Sequence, residues 1–268
     1  MIAAAPEYPP ARASARLHAL AAARSGAHLA VVADAWSARL AAARGLAGLQ
    51  LSLDLLAALR CGEARGSLIG GAELADALAA VVAATELPVV VELADGFGNA
   101  LHVDRIVRLA DRLGAAGVEL ADLATPGTGR THVAAEEFAG KLRAARDAAG
   151  ELVVVARVTC ATLAGPDAAR AAADAALAAG AHLLRFEAAD AVAYEALCNA
   201  YDAHATLVDG RCGDRGAAAG RPAAEAATGR GYAWRVDVGA ALAALERGTL
   251  AYLDSVPSSG DVRAREGG

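Results

Sequence analysis

The stretch "VELADGFGNALHVDRIVRLADRLGAAGVELAD" (residues 91–122) decides the fold. It opens on an apolar run that carries a carboxylate, Glu92. A glycine turn follows, Asp95-Gly96-Phe97-Gly98-Asn99, then a helical run, then a second apolar run ending at Asp122. Strand, turn, helix and strand in that order make one βαβ unit. The same alternation runs through the chain. Candidate strands lie at 29–34, 49–52, 88–93, 117–122, 152–158, 182–188, 205–210 and 231–238. They are continuous Val/Leu-rich runs, as parallel strands buried on both faces are. Ala-rich helical runs separate them. The one at 166–180 ends on Gly180, a residue suited to the left-handed C′ position. Eight strands with intervening helices predict an α/β fold, a single (β/α)8 TIM-type barrel. An open doubly wound sheet would carry GxGxxG after its first strand, and "VVADAWSARLAA" (31–42) has no such motif. The expected boundaries are a loose lead over 1–14, the barrel domain over 15–256 and a disordered tail over 257–268. The Gly/Ala/Arg-rich segment 211–231 reads as a surface loop with a short helix.

Composition excludes several functions. The 268 residues carry a net charge of -6, which argues against a nucleic-acid partner. No apolar run approaches the ~20 residues that span a bilayer. The start, "MIAAAPEYPPA", lacks a basic segment followed by an apolar one, so the chain reads as cytoplasmic. Cys61, Cys160, Cys198 and Cys212 show no CxxC spacing and read as buried free thiols. The single lysine, Lys141, lies inside the helical run 134–145. Schiff-base chemistry in a barrel needs a lysine at a strand's C-terminal end, so neither that nor a nucleotide cofactor is expected.

Barrel chemistry sits where strands end. Those positions hold Asp34, Ser52, Glu92, Asp95, Asp122, Arg157, Thr159, Glu187, Asp209 and Arg211. Carboxylates with two arginines suit a small oxo- or hydroxy-acid, because a guanidinium holds an acid group through paired N–H donors. Each residue also has a structural use. Asp34 suits a helix cap, with Trp36 packing nearby, and Glu187 suits a pair with Arg185 or another barrel arginine. Gly96 and Gly98 permit unusual backbone angles at the turn. The loop 123–132 brings Arg130, Thr131 and His132 into position to close over a ligand. His132 is the best-placed histidine for proton transfer, and it equally suits a solvated loop.

Five segments, in order, resemble the isocitrate lyase/phosphoenolpyruvate mutase superfamily. They are "HLAVVADAWSARLAAARGLAGLQLS", "LPVVVELADGFGNALHVDRIVRLADRLGAAGVELAD", "VAAEEFAGKLRAARDA", "VVVARVTC" and "AGAHLLRFEA". They span about residues 15–190. The resemblance implies a barrel, usually magnesium-dependent, that cleaves or rearranges C–C or P–C bonds beside a carboxylate. It also implies a homo-oligomer, often a tetramer that exchanges its last helix. By the same resemblance Arg157 holds the substrate's acid group. Ser52, Glu187, Gly96, Gly98, Asn99 and Arg130 complete the substrate site.

The chain departs from the family's pattern where the metal is held. The family's first metal-site Asp falls at Glu92 and its second at Ala94. The Glu of its "ED" pair falls at Ala121, leaving Asp122. An ungapped count from Ser52 puts another family Asp at Arg65. The Ser-Gly pair after the second strand is here Ser52-Leu53, and the lyase branch's catalytic Cys loop is the shorter "LATPGTGRTH". A hard divalent cation wants several oxygen ligands, so these changes argue against magnesium in the usual mode. The leading expectation is a divergent lyase or mutase acting on a small carboxylated or phosphonylated acid. Arg65 would pair with Glu92 and replace the metal's electrophilic role, while Glu92 or His132 moves the proton. One alternative is a lapsed barrel that binds a metabolite or a protein partner. Another is a conventional magnesium enzyme whose shifted site uses Glu92, Asp95 and Asp122.

Overall fold

The computed structural model describes residues 10–23, 27–124, 131–159, 164–187, 191–201, 203–208, 234–236, 241, 243–248 and 251. Eight parallel strands close a barrel: β1 (Ala27–Val32), β2 (Gly48–Leu51), β3 (Val89–Glu92), β4 (Gly117–Ala121), β5 (Val153–Val158), β6 (Leu183–Phe186), β7 (Ala205–Val208) and β8 (Trp234–Val236). Each pairs with its neighbours in sequence, and β8 returns to β1 through Ala27↔Trp234. The barrel expected from the alternating runs is therefore present, with each expected strand in place. The segments 211–231 and 257–268, with Cys160 and Cys212, lie outside the described residues.

Helices α2 (Ala35–Ala43), α3 (Leu53–Cys61), α4 (Gly71–Ala84), α5 (Ala100–Arg112), α6 (Ala135–Ala148), α7 (Pro166–Ala178) and α8 (Ala191–Ala200) follow the strands. Their sequences explain their buried faces. In α5 the buried residues Val103, Ile106, Val107 and Ala110 recur at helical spacing, and Asn99 caps its N-terminus. In α7 the buried face is all alanine, Ala169, Ala172, Ala173 and Ala176, which lets the helix approach closely. Its C-cap is Ala179, and Gly180 follows with φ +92, the left-handed position expected for it. No helix among the described residues is long and apolar enough to cross a membrane.

Strand residues alternate between two layers. Leu49, Leu51, Val91, Val118, Leu120 and Phe186 belong to the core shared with the helices. Leu29, Val90, Val153, Val155 and Leu183 form a second cluster inside the barrel. That inner cluster is sealed from below by helix α1 (Pro10–Ala23), whose Leu17 is fully buried in it. Gly117 makes room: a Cβ there would lie 2.8 Å from Leu17 Cδ2 and 2.8 Å from the Val153 carbonyl oxygen. The loose lead expected over 1–14 is thus helical from Pro10 onward. Two further expectations are corrected. Cys61 is exposed whereas Cys198 is buried, and Trp36 is 70% exposed, not packed.

His182, at the foot of β6, is held neutral. Its Nδ1 accepts the Val154 N–H at 2.9 Å, and the His18 ring meets it edge-on at 5.1 Å. Burial, then the charge of Arg146 and the proximity of His18, lowers its pKa to about 4. The unfolded chain binds this proton near pH 6.5, above the folded value. Stability from His182 is therefore complete above about pH 6.5 and lost as pH falls toward about 4. His182→Asn keeps an acceptor for Val154 and removes the titration. Melting curves between pH 4 and 7 are expected to be flatter for this variant; identical slopes would refute the assignment.

Candidate active site

The C-terminal mouth of the barrel is built from strand ends. Inward positions recur every second residue, so Glu92 on β3, Ala121 on β4 and Arg157 on β5 face the axis, with Glu187 just past β6. Ala121 pairs in register with Arg157, and Arg157 with Arg185. Glu92 is buried between two positive groups. Its Oε2 accepts the Leu53 N–H of the first turn of α3 at 3.1 Å, and its Oε1 accepts from Arg157 Nη1 at 2.5 Å. A carboxylate at a helix N-terminus is favoured by the unpaired N–H groups there. Arg157 also donates through Nε to Glu187 Oε1 at 2.6 Å, and its Nη2 reaches the same oxygen. The centre is thus a carboxylate–guanidinium–carboxylate bridge. Burial works against the Arg157 charge, but Glu187, Glu92 and Glu119 outweigh it and raise its pKa well above the usual value.

Below this bridge lies a second buried pair. Arg185 Nη1 donates to Glu119 Oε1 and Oε2 at 2.8 and 3.0 Å. Gln50 on β2 is also buried, and its amide nitrogen and oxygen, like Arg185 Nε, have no hydrogen-bond partner among the described residues.

The rim is structural in large part. Asp122 Oδ1 accepts from the Thr159 N–H at 2.7 Å and from Thr159 Oγ1 at 2.5 Å. Its backbone N–H donates to Arg157 O, and its carbonyl accepts from Val133 N–H. Asp122 therefore ties β4, β5 and the base of the following loop. That loop leaves as an antiparallel hairpin, Leu123–Ala124 against Thr131–His132, with His132 exposed. Ser52 caps α3, its Oγ accepting the Leu55 N–H at 3.4 Å. Asp34 caps α2, accepting from the Ser37 N–H and Oγ at 2.7 and 2.9 Å. Asn99 accepts from the N–H groups of Leu101 and His102.

The turn after β3 is strained. Ala94 (φ +49) and Phe97 (φ +62) join Gly96 (φ +80) and Gly98 (φ +139) at positive φ. Non-glycine residues there cost about 1–2 kcal/mol each and cluster at functional sites. Asp95 turns back on the turn itself, accepting the Phe97 N–H at 2.9 Å. Lys141 Nζ donates to the Asp95 carbonyl at 3.1 Å and lies 3.8 Å from Glu137. Sequence reading put Lys141 away from the site. The signal was its place on the buried face of α6, in phase with Phe138, Leu142 and Ala145.

The expected Glu92–Arg65 pair is not formed. Arg65 is exposed and pairs with Glu63 at 3.0 Å, while Arg157 takes Glu92. Glu187 pairs with a barrel arginine, as expected, and that arginine is Arg157, while Arg185 takes Glu119. Arg130, Asp209 and Arg211 lie outside the described residues. Among the described residues no group of three or more His, Cys, Asp or Glu side chains is placed to hold a metal ion. Both Glu92 oxygens already accept from protein donors, Asp122 Oδ1 serves Thr159, Asp95 is bound in its own turn, and Ala94 and Ala121 offer no side-chain oxygen.

A family model described as phosphoenolpyruvate phosphomutase matches residues 16–218. The chain is 40% identical over 97 residues to oxaloacetate decarboxylase of Rhodopseudomonas palustris (strain BisB18), covering 34% of each chain. It is 33% identical over 171 residues to 2-methylisocitrate lyase of Bacillus subtilis (strain 168), covering 62% of this chain and 55% of that one. The matched stretch thus spans about a third to about half of these relatives' length. The fold is similar to that of 2,3-dimethylmalate lyase, described as a PEP mutase/isocitrate lyase superfamily member. Here the TM-score is 0.77 and the identity 22%, over 92% of this chain and 89% of that one. The barrel and the family model that matches residues 16–218 lead to one conclusion: the chain belongs to the phosphoenolpyruvate phosphomutase family.

Proposed function

We propose that this barrel is a divergent lyase of its superfamily that binds a small oxo-acid through Arg157, without a metal at the usual position. The observation that carries this reading is the buried Glu92–Arg157–Glu187 bridge. Three of the five guanidinium N–H groups meet carboxylates through Nε, Nη1 and Nη2, which leaves two for an incoming acid group. Cleavage of a C–C bond beside an acid leaves its electron pair as an enolate. The Arg157 charge, fixed in a dry site, stabilises that oxygen as it forms. His132, on the strand pair that follows Asp122, would deliver the proton to carbon. Homo-oligomeric assembly and a cytoplasmic location belong to the same reading.

The relatives named above act on oxaloacetate and 2-methylisocitrate, so these are the first substrates to assay, in EDTA and in magnesium. Release of pyruvate from oxaloacetate in EDTA is the expected result. A second reading, a lapsed barrel that binds without turnover, is favoured by the protein N–H groups that both Glu92 oxygens already accept. Ligand-induced thermal stabilisation with no product would select it.

A further inference from the structure

The interior holds two arginines side by side. Arg157 and Arg185 are register partners on adjacent strands β5 and β6, and both are more than nine-tenths buried. Neighbouring strands lie only ~5 Å apart, so two like charges there repel unless each has its own counter-charge. The described interior supplies three carboxylates for two guanidiniums. Glu92 and Glu187 bind Arg157, and Glu119 alone binds Arg185 through both oxygens. Glu119 also faces Glu92 in register across β3 and β4. Without its own counter-charge, Arg185 would turn to the nearest carboxylates, and those are the ones that orient Arg157.

We infer that Glu119 is a positioning residue: by sequestering Arg185 it reserves Glu92 and Glu187 for Arg157 and so fixes the acid-binding guanidinium. This rests on the reading of Arg157 as the acid anchor. Nothing in Glu119 need touch the ligand. The unpartnered Arg185 Nε shows that the lower guanidinium is not otherwise satisfied and has donor capacity to spend elsewhere.

The test compares Glu119→Gln with the double variant Glu119→Gln/Arg185→Gln. Two readouts are used: oxalate affinity by calorimetry, and the Nε–H resonance of Arg157, identified by its absence in Arg157→Lys. Glu119→Gln is expected to weaken oxalate about tenfold and to shift or broaden the Arg157 signal. The double variant, with the competing guanidinium removed, is expected to restore both. A bystander Glu119 would leave the resonance unmoved and, by removing a negative charge, would tighten oxalate instead; that result overturns the inference. A double variant as perturbed as the single also overturns it, because Glu119 would then act by a route other than Arg185. Should oxalate bind to no variant, including the wild type, the reading of Arg157 as acid anchor fails. The resonance comparison then decides the role of Glu119 by itself.

Discussion

Arg157→Met is expected to destabilise the fold by about 3–5 kcal/mol, the range for breaking a buried ion pair from one side, and to abolish acid binding. The substitution keeps an unbranched apolar stem and removes the guanidinium with its charge. Glu92 then remains buried against the N-terminus of α3 with one of its two donors gone, and Glu187 loses the guanidinium that it binds. The cost comes from stranded carboxylates rather than from the loss of an intrinsically strong pair. Arg157→Lys returns the charge but not the planar fork, so it should recover part of the stability and little of the binding. Denaturant unfolding of the three proteins, followed by circular dichroism, checks this ordering. Equal stability of Arg157→Met and wild type would show that the bridge is not buried as described.

The second large effect is expected at Gly96. Its φ is +80, and a Cβ there would sit 2.3 Å from Val103 Cγ2 and 3.0 Å from Leu120 Cδ2. Left-handed strain adds roughly 1–2 kcal/mol and overpacking roughly 1–3, so Gly96→Ala should cost about 2–5 kcal/mol. Gly98, at φ +139, lies outside the region that alanine adopts readily, and an added Cβ there would meet His102 Nδ1 at 2.8 Å. Gly98→Ala should therefore also destabilise the turn. Thermal melts of both variants check this, and a wild-type melting temperature in either would contradict the turn geometry.

The barrel was legible in the sequence because its strands are uninterrupted Val/Leu runs and its helices are Ala-rich segments between them. Glu92, Arg157 and Glu187 were legible because each stands at or just past a strand's end, where a barrel opens. Their pairing was not. An ungapped count brought Arg65 to the metal shell, yet the segment after α3 leaves Arg65 on the surface beside Glu63. Which guanidinium meets which carboxylate depends on closure of the barrel, which sets β5 beside both β4 and β6. Glu119 and Arg185 had a signal that went unread: each stands two residues before an inward position at the mouth, Ala121 and Glu187. Asp122, Ser52, Asp34 and Asn99 match the residue types of an active site and also act as staples and caps, tasks that use the same hydrogen-bonding groups.

An acid ligand held by Arg157, and not through magnesium, should bind whether or not the cation is present. Calorimetric titration of oxalate into the protein, in EDTA and then in millimolar magnesium, tests it most directly. Equal affinity in both buffers, lost in Arg157→Met, is the expected result. Binding that appears only with magnesium would contradict the claim and restore a metal centre of the usual kind.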